Sequence, residues 1–172
     1  VDTGIDYQNP LFRKEDGSSR ILGIWDQTLE TGAPDPVTGF QALYGTQYSR
    51  EEIDQALAAP DPLALVPSAD ENGHGTFLAS VAAGGEDPDQ DFTGAAPRAS
   101  IAMVKLKPAK AYLRDFYLIR EGADAYQEND IMMGVAYLLH LARRFSMPLV
   151  ICLGLGTNQG SHVGKSPLGL YL

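Results

Sequence analysis

Two short motifs place a carboxylate and an imidazole where they could exchange protons with a substrate. The first, Val1–Asp6, carries Asp2 at the expected end of a strand, just before a glycine turn. Catalytic groups gather at such strand ends in open α/β sheets. The second, Asn72–Thr76, predicts that His74 lies in the first turn of a helix, between glycines that permit close approach of backbone and substrate. Each motif is weak alone, but both together, followed by Gly-Ala-Ala-Pro at 94–97, form a strong signal.

The elements that must position these motifs alternate between strands and helices. Residues 149–153 are almost wholly apolar, as in a strand covered on both faces. Ser49 opens a capping box, and Asp130 is expected to cap a long helix. Strands are expected at 20–26, 100–106 and 149–153, and helices at 50–57, 75–83 and 131–145. This alternation predicts an α/β fold with a parallel sheet.

Composition narrows the class of protein. The chain has 172 residues, of which 44% are hydrophobic and 20% charged, so it can bury a core and is not expected to be disordered. Its formal charge of −9 argues against nucleic-acid binding, because a polyanion attracts clustered Lys and Arg. No membrane span or signal peptide is predicted. The first residue is Val1, and we expect that sequence upstream of it has been removed.

The sequence predicts no metal site or cofactor. A single cysteine, Cys152, excludes an internal disulfide and a multi-cysteine zinc site, and its apolar neighbours predict a buried core thiol. His140 and His162 lack ligand-type neighbours at zinc spacing. Aspartates alternate over residues 87–91 like calcium ligands, but a solvated acidic loop is the favoured interpretation.

The two motifs resemble those of the subtilases, the subtilisin-like serine proteases of peptidase family S8. The matching segments are Val1–Ile5 for the Asp motif, His74–Thr76 with Ala82–Gly84 for the His motif, and Gly94–Pro97 for the lead-in to the next strand. Closer similarity is to clostridial germination proteases of the Csp type, through residues 20–28, 126–130 and 156–161. The resemblance covers nearly the whole chain.

This resemblance implies a subtilisin-like, three-layer α/β fold with a mainly parallel sheet and helices on both faces. Residues 1–172 would be the N-terminal part of the catalytic domain. The segment between the two motifs is longer than in compact subtilases, so an inserted hairpin or loop region is expected over residues 12–70.

The resemblance also implies catalytic roles. His74 would take a proton from a serine hydroxyl and return it to the leaving amine, while Asp2 would hold the imidazole tautomer and stabilise the imidazolium. The family's serine lies in a Gly-Thr-Ser-x-Ala motif, which this sequence lacks, and is expected beyond Leu172. Ser161 and Ser166 lie in a glycine-rich context rather than at a helix start, and neither is expected to be the nucleophile.

Substrate-binding residues follow from the same resemblance. Leu153, Gly154, Leu155 and Gly156 stand where a Ser-Leu-Gly strand lines the family's specificity pocket. Gly154 replaces the usual serine, which is expected to widen or loosen the pocket edge while the backbone still pairs with an extended peptide. Asn158 follows this strand too closely to be the oxyanion-hole asparagine.

Three function classes are weighed. An endopeptidase acting on polypeptides, active only as the full-length protein, is favoured. A catalytically inactive subtilase-like binding or regulatory protein is the alternative, although the intact Asp2 and His74 count against it. A nucleotide-binding domain is disfavoured because no G-x-G-x-x-G or G-K-[ST] loop follows a strand. The sequence leaves the oligomeric state and location open, an extracellular or spore-associated protein being compatible with the resemblance.

Overall fold

The computed structural model describes residues 1–30, 39–156 and 163–172, and these contain three strands and six α-helices. The strands are β1 (Ile21–Asp26), β2 (Thr46–Ser49) and β3 (Ile101–Lys105). The helices are α1 (Arg50–Ala58), α2 (Pro62–Leu65), α3 (His74–Ala83), α4 (Ala111–Phe116), α5 (Glu128–Arg144) and α6 (Pro167–Tyr171). A short 3₁₀ helix spans Pro10–Phe12.

The sheet brings three chain segments to one edge. Its strand order is β2-β1-β3, with β1 parallel to β3 and antiparallel to β2. Asp26 is opposite Lys105 at the carboxyl ends of β1 and β3. Asp2 forms a parallel bridge to Lys105 and donates its N–H to the Val104 carbonyl at 3.0 Å. Asp2 therefore lies at the carboxyl edge of the sheet, as the sequence predicts.

Successive residues of a strand point to opposite faces of the sheet. Helices pack against both of these faces. Ile24 and Met103 belong to a buried cluster that includes residues of α1. Their neighbours Trp25 and Val104 belong to a second cluster that includes Tyr137 and other residues of α5. This three-layer arrangement confirms the predicted fold class.

Helix α1 begins with the predicted capping box. The Ser49 hydroxyl accepts the Glu52 N–H at 3.3 Å, and the Glu52 carboxylate accepts the Ser49 N–H at 2.7 Å. Ile53 and Ala56 of this helix are fully buried. Within residues 12–70 the structure thus contains the antiparallel β1–β2 pair, α1 and α2. That this region is an insertion stays a prediction.

The predicted cap of the long helix is wrong. Helix α5 begins at Glu128 with Gln127 at its N-cap, so Asp130 lies inside the first turn. The buried Asp130 carboxylate instead accepts the Tyr44 hydroxyl at 2.6 Å and pairs with Lys107 Nζ at 3.1 Å. Tyr44 and Lys107, which are distant in sequence, therefore bind the carboxylate that local spacing assigned to the helix cap.

The predicted strand at 149–153 is also wrong. Residues 149–153 form no strand. Among the described residues, Val1 donates to the Cys152 carbonyl at 3.0 Å and Gly154 donates to the Val1 carbonyl at 3.4 Å. Cys152 is exposed and not a buried core thiol, and Val150 is 96% exposed. Leu149, Ile151 and Leu153 pack against the second cluster, so the face that carries Val150 and Cys152 is the one that lacks cover.

We predict that Ser49→Ala lowers the free energy of unfolding by about 1 kcal/mol, because the capping box at a buried helix start is lost. Urea unfolding of the full-length protein would measure the change. Ser166→Ala is the matched control, since Ser166 caps the five-residue helix α6, which has no buried residue. Equal losses in the two variants would contradict the prediction.

Candidate active site

The structure brings the two sequence motifs together. His74 Nδ1 lies 2.8 Å from Asp2 Oδ1, although the residues are 72 positions apart. The Asp2 side chain is 4% exposed and that of His74 is 47% exposed. The Thr3 N–H also donates to Asp2 Oδ1 at 2.7 Å. A buried, fixed carboxylate thus orients an imidazole whose other face is open to solvent.

Glycine at position 75 allows helix α3 to start against the Asp2 turn. A Cβ on Gly75 would collide with the Gly4 carbonyl oxygen and lie 3.1 Å from Asp2 Cβ. Gly73, which precedes His74 and is the N-cap of α3, adopts the left-handed conformation with φ of +82°, which a side chain would disfavour. The glycines that flank His74 in sequence therefore serve a close backbone approach and a sharp helix start.

Asp70 joins the Asp2 turn to the start of α3. One carboxylate oxygen accepts the Thr3 hydroxyl at 2.8 Å and the Gly73 N–H at 3.0 Å. The other accepts the Thr76 N–H at 2.9 Å and its hydroxyl at 2.6 Å. Burial raises the pKa of Asp70, but the hydrogen bonds from Thr76, Thr3 and Gly73 together hold it below its ordinary value. Asp70 is thus a charged acceptor at neutral pH.

The surrounding carboxylates favour the protonated form of His74. The hydrogen bond with Asp2 is the largest cause that raises the pKa of His74 above 6.5, followed by the Asp2 charge. Desolvation lowers the pKa, and the charges of Asp70 and Asp124 raise it further. The site is therefore built to stabilise an imidazolium, the form that His74 would take after accepting a proton.

A cleft of about 250 Å³ opens beside His74. Asn72 lines it and donates to the Asp124 carboxylate at 3.2 Å. Burial, followed by the Asp124, Asp2 and Asp70 charges, raises the pKa of Tyr126 on the same cleft. The full lining is Thr3, Asn72, His74, Asp124, Tyr126, Gly154, Leu155 and Gly156.

Gly154 packs against the Asp2 carboxylate. A Cβ at this position would collide with Asp2 Oδ2 and would lie 2.5 Å from Leu78 Cδ1. Asp2 Oδ2 is buried and accepts no hydrogen bond from the part of the chain that the structure describes. Glycine at position 154 therefore leaves room for the Asp2 carboxylate, besides lining the cleft.

Some of the other candidate residues line the cleft beside this pair, some lie away from it, and some are outside the described residues. Leu153 packs against the Trp25 cluster, while Leu155 and Gly156 line the cleft. Ser166 accepts the Gly169 N–H as the cap of α6. His140 lies on α5 with its ring 5.7 Å from that of Phe40. Asn158, Ser161 and His162 lie outside the described residues.

Sequence reasoning missed the residues that hold the pair in place, chiefly Asp70, Thr3 and Thr76. A carboxylate four residues before His74, at the start of a predicted helix, was the available signal for Asp70. The spacing could not show that the same carboxylate also reaches Thr3, which is 67 residues away.

The described residues contain neither a metal-binding cluster nor a membrane-spanning helix. Over residues 1–30, 39–156 and 163–172, no group of three or more His, Cys, Asp or Glu side chains is arranged to hold a metal ion. Over the same ranges, no helix is both long enough and apolar enough to cross a membrane.

The fold and the Asp2–His74 pair agree with a comparison against protein families. The model of the subtilase family, peptidase family S8, matches residues 1–142. This match includes Asp2, His74 and all three strands described above. The chain therefore belongs to the subtilase family.

A solved structure adds a more specific similarity. The chain resembles the Clostridium perfringens CspB protease with a TM-score of 0.79 and 32% sequence identity. The similarity covers 99% of this chain but 31% of the CspB chain, so the chain spans about a third of that protein's length. A comparison with curated proteins gives no significant match. The predicted relationship to Csp-type proteases is confirmed.

We predict that His74 titrates above pH 6.5 in the full-length protein and that Asp2→Asn lowers its pKa towards that value. Because the folded pKa exceeds the unfolded one, the pair's contribution to stability is complete below the unfolded pKa of about 6.5 and is lost as pH rises through the folded pKa. NMR titration of labelled histidines would measure this, with His74→Ala assigning the signal. A His74 pKa of 6.5 or less would contradict the assignment.

We further predict that Gly154→Ala disturbs the pair, whereas Gly156→Ala does not. The first substitution places a methyl group against Asp2 Oδ2, while a Cβ on Gly156 meets no atom of the described residues within 4 Å. The His74 pKa should therefore fall in Gly154→Ala alone, and its melting temperature should drop as well. Identical titration curves for the two variants would refute the role of Gly154 described above.

Proposed function

We propose that the full-length protein is a serine endopeptidase whose triad consists of Asp2, His74 and a serine beyond Leu172. The 2.8 Å contact between His74 Nδ1 and Asp2 Oδ1, in a chain of the subtilase family, carries this proposal. Subtilases are serine peptidases, and the 172 residues contain no Gly-Thr-Ser sequence. The chain also covers only 31% of the CspB protease, which leaves room for the third triad member in a following segment.

The geometry of His74 suits a general base. When Nδ1–H donates to Asp2, the lone pair of the neutral ring is on Nε2, which can accept the proton of a serine hydroxyl. The nearly buried Asp2 charge then stabilises the imidazolium, because a charge in a partly dry environment acts more strongly than in water. The same nitrogen would return the proton to the leaving amine.

The cleft beside His74 would hold the polypeptide substrate. Leu155 and Gly156 line it next to His74, and segment 153–156 would offer its backbone groups to a peptide strand. Gly154 brings this segment against Asp2, so a bound peptide would lie close to the pair. Leu153 anchors the segment by packing on the core.

An apolar groove supports the expectation that more of the domain follows. It has a volume of about 700 Å³, lies between α3 and α5, and is lined by Leu78, Ala82, Ala95, Leu138, Leu141 and Val150, among others. Soluble proteins seldom leave a large apolar surface uncovered. The groove also reaches Asp2. We therefore propose that the remainder of the catalytic domain packs here and brings its serine to His74.

The alternative is a subtilase-like binding or regulatory protein without peptidase activity. It would keep the same fold and cleft but lack the serine. A fluorophosphonate probe, which reacts with activated serines, separates the two functions in the full-length protein. Covalent labelling that requires His74 supports the enzyme, and an unlabelled folded protein supports the alternative.

We predict that His74→Ala in the full-length protein abolishes cleavage of a peptide library and that Asp2→Asn lowers turnover by about 10⁴-fold, since an amide favours the wrong imidazole tautomer. The 172-residue chain alone should show no serine-dependent cleavage. His140→Ala, on the distant face of α5, is the matched histidine control and should retain activity. Circular dichroism and melting curves verify folding. A folded His74→Ala protein with near-normal cleavage would exclude the proposed mechanism.

A further inference from the structure

We propose that Asp70 is a positioning residue that fixes the geometry of the Asp2–His74 pair. The inference rests on the proposed peptidase function and adds a residue to it. Asp70 touches neither ring nor carboxylate of the pair. It acts instead through Thr3, which follows Asp2, and through Gly73 and Thr76, which flank the first turn of α3.

Hydrogen bonds connect the Asp2 turn and the first turn of α3 to the single carboxylate of Asp70. Thr3 Oγ1 donates to Asp70 at 2.8 Å and accepts the N–H of Gly75, the residue after His74, at 2.9 Å. Thr76 Oγ1 donates to Asp70 at 2.6 Å and accepts the Asp6 N–H at 2.9 Å. Each hydroxyl therefore links the Asp70 carboxylate to a backbone N–H of the other segment, Thr3 to that of Gly75 in α3 and Thr76 to that of Asp6 after the Asp2 turn. A helix cap alone would need only the bonds to α3.

The loop that carries Asp70 is itself held by side chains at the ends of strands β1 and β3. Lys105 Nζ donates to the Ala69 carbonyl at 2.7 Å and to the Glu71 carboxylate at 3.3 Å, which fixes the residues on both sides of Asp70. The Ser68 hydroxyl donates to the fully buried Asp26 carboxylate at 2.6 Å. Lys105 also bridges through its backbone to Asp2. The support for Asp70 and the support for Asp2 therefore share one strand end.

Geometry and charge can be separated by substitution. Thr76→Val is nearly isosteric and removes the hydroxyl without changing any charge, whereas Thr76→Ser keeps the hydroxyl. Asp124→Asn removes a charge that also raises the pKa of His74 but that contacts Asn72 rather than the α3 backbone. Asp70→Asn removes the charge and replaces one acceptor oxygen with a donor, so that Thr76 and Thr3 can no longer both be satisfied.

The experiment compares these four variants of the full-length protein with the wild type. It measures kcat and KM for peptide cleavage and the His74 pKa by NMR. We expect Thr76→Val and Asp70→Asn to lower kcat by about 10-fold or more with KM changed less than about 2-fold, because support of a catalytic group affects turnover more than binding. Both should lower the His74 pKa, while Thr76→Ser restores wild-type values.

Two results would overturn the positioning role. In the first, folded Thr76→Val and Asp70→Asn lose melting temperature but keep the wild-type kcat and His74 pKa. In the second, Asp124→Asn reproduces the effect of Asp70→Asn while Thr76→Val keeps the wild-type kcat and His74 pKa, so that charge alone explains the effect. If Thr76→Val does not fold, Asp70→Asn measured against Asp124→Asn decides between the same outcomes. A wild type that cleaves nothing would refute the peptidase instead, and the His74 pKa values would still test Asp70.

Discussion

The close approach of the Asp2 turn to the start of helix α3 is the constraint on which the site depends. The 2.8 Å contact of His74 with Asp2 exists because Gly75 lets the helix begin against the Gly4 carbonyl. Any side chain at position 75 would separate the two segments by the width of a methyl group. A hydrogen bond of this length does not tolerate such a shift, so the chemistry depends on a backbone contact.

The sheet sets where that contact occurs. Asp2 is paired with Lys105 at the end of β3. The Lys105 side chain donates a hydrogen bond to the loop before α3. Buried Asp26, at the end of β1, lies 3.8 Å from Lys105 Nζ and accepts the Ser68 hydroxyl. A buried ion pair adds little net stability by itself, but it restricts the conformations of the groups bound to it. Here the Asp26–Lys105 pair keeps the Asp2 motif and the loop before His74 at one edge of the sheet.

The apolar groove between α3 and α5 shows how the site relates to the rest of the protein. Helix α3 is apolar in sequence, yet Gly75 is its only buried residue and Phe77 is 63% exposed. Val150 on the groove is 96% exposed. The same surface adjoins Asp2, so a segment that covered it would also enclose the Asp2–His74 pair and lower the local dielectric around it.

The sequence alone determined the α/β class, the paired motifs of Asp2 and His74 and the capping box of α1, because these depend on local spacing or on motif order. Tertiary structure decided which partners polar side chains found: Asp130 pairs with Lys107 rather than capping α5, and Asp70 reaches Thr3. It also decided burial. In the apolar run 149–153, Leu149, Ile151 and Leu153 pack against the second cluster while Val150 and Cys152 are exposed, because burial depends on cover from elements distant in sequence.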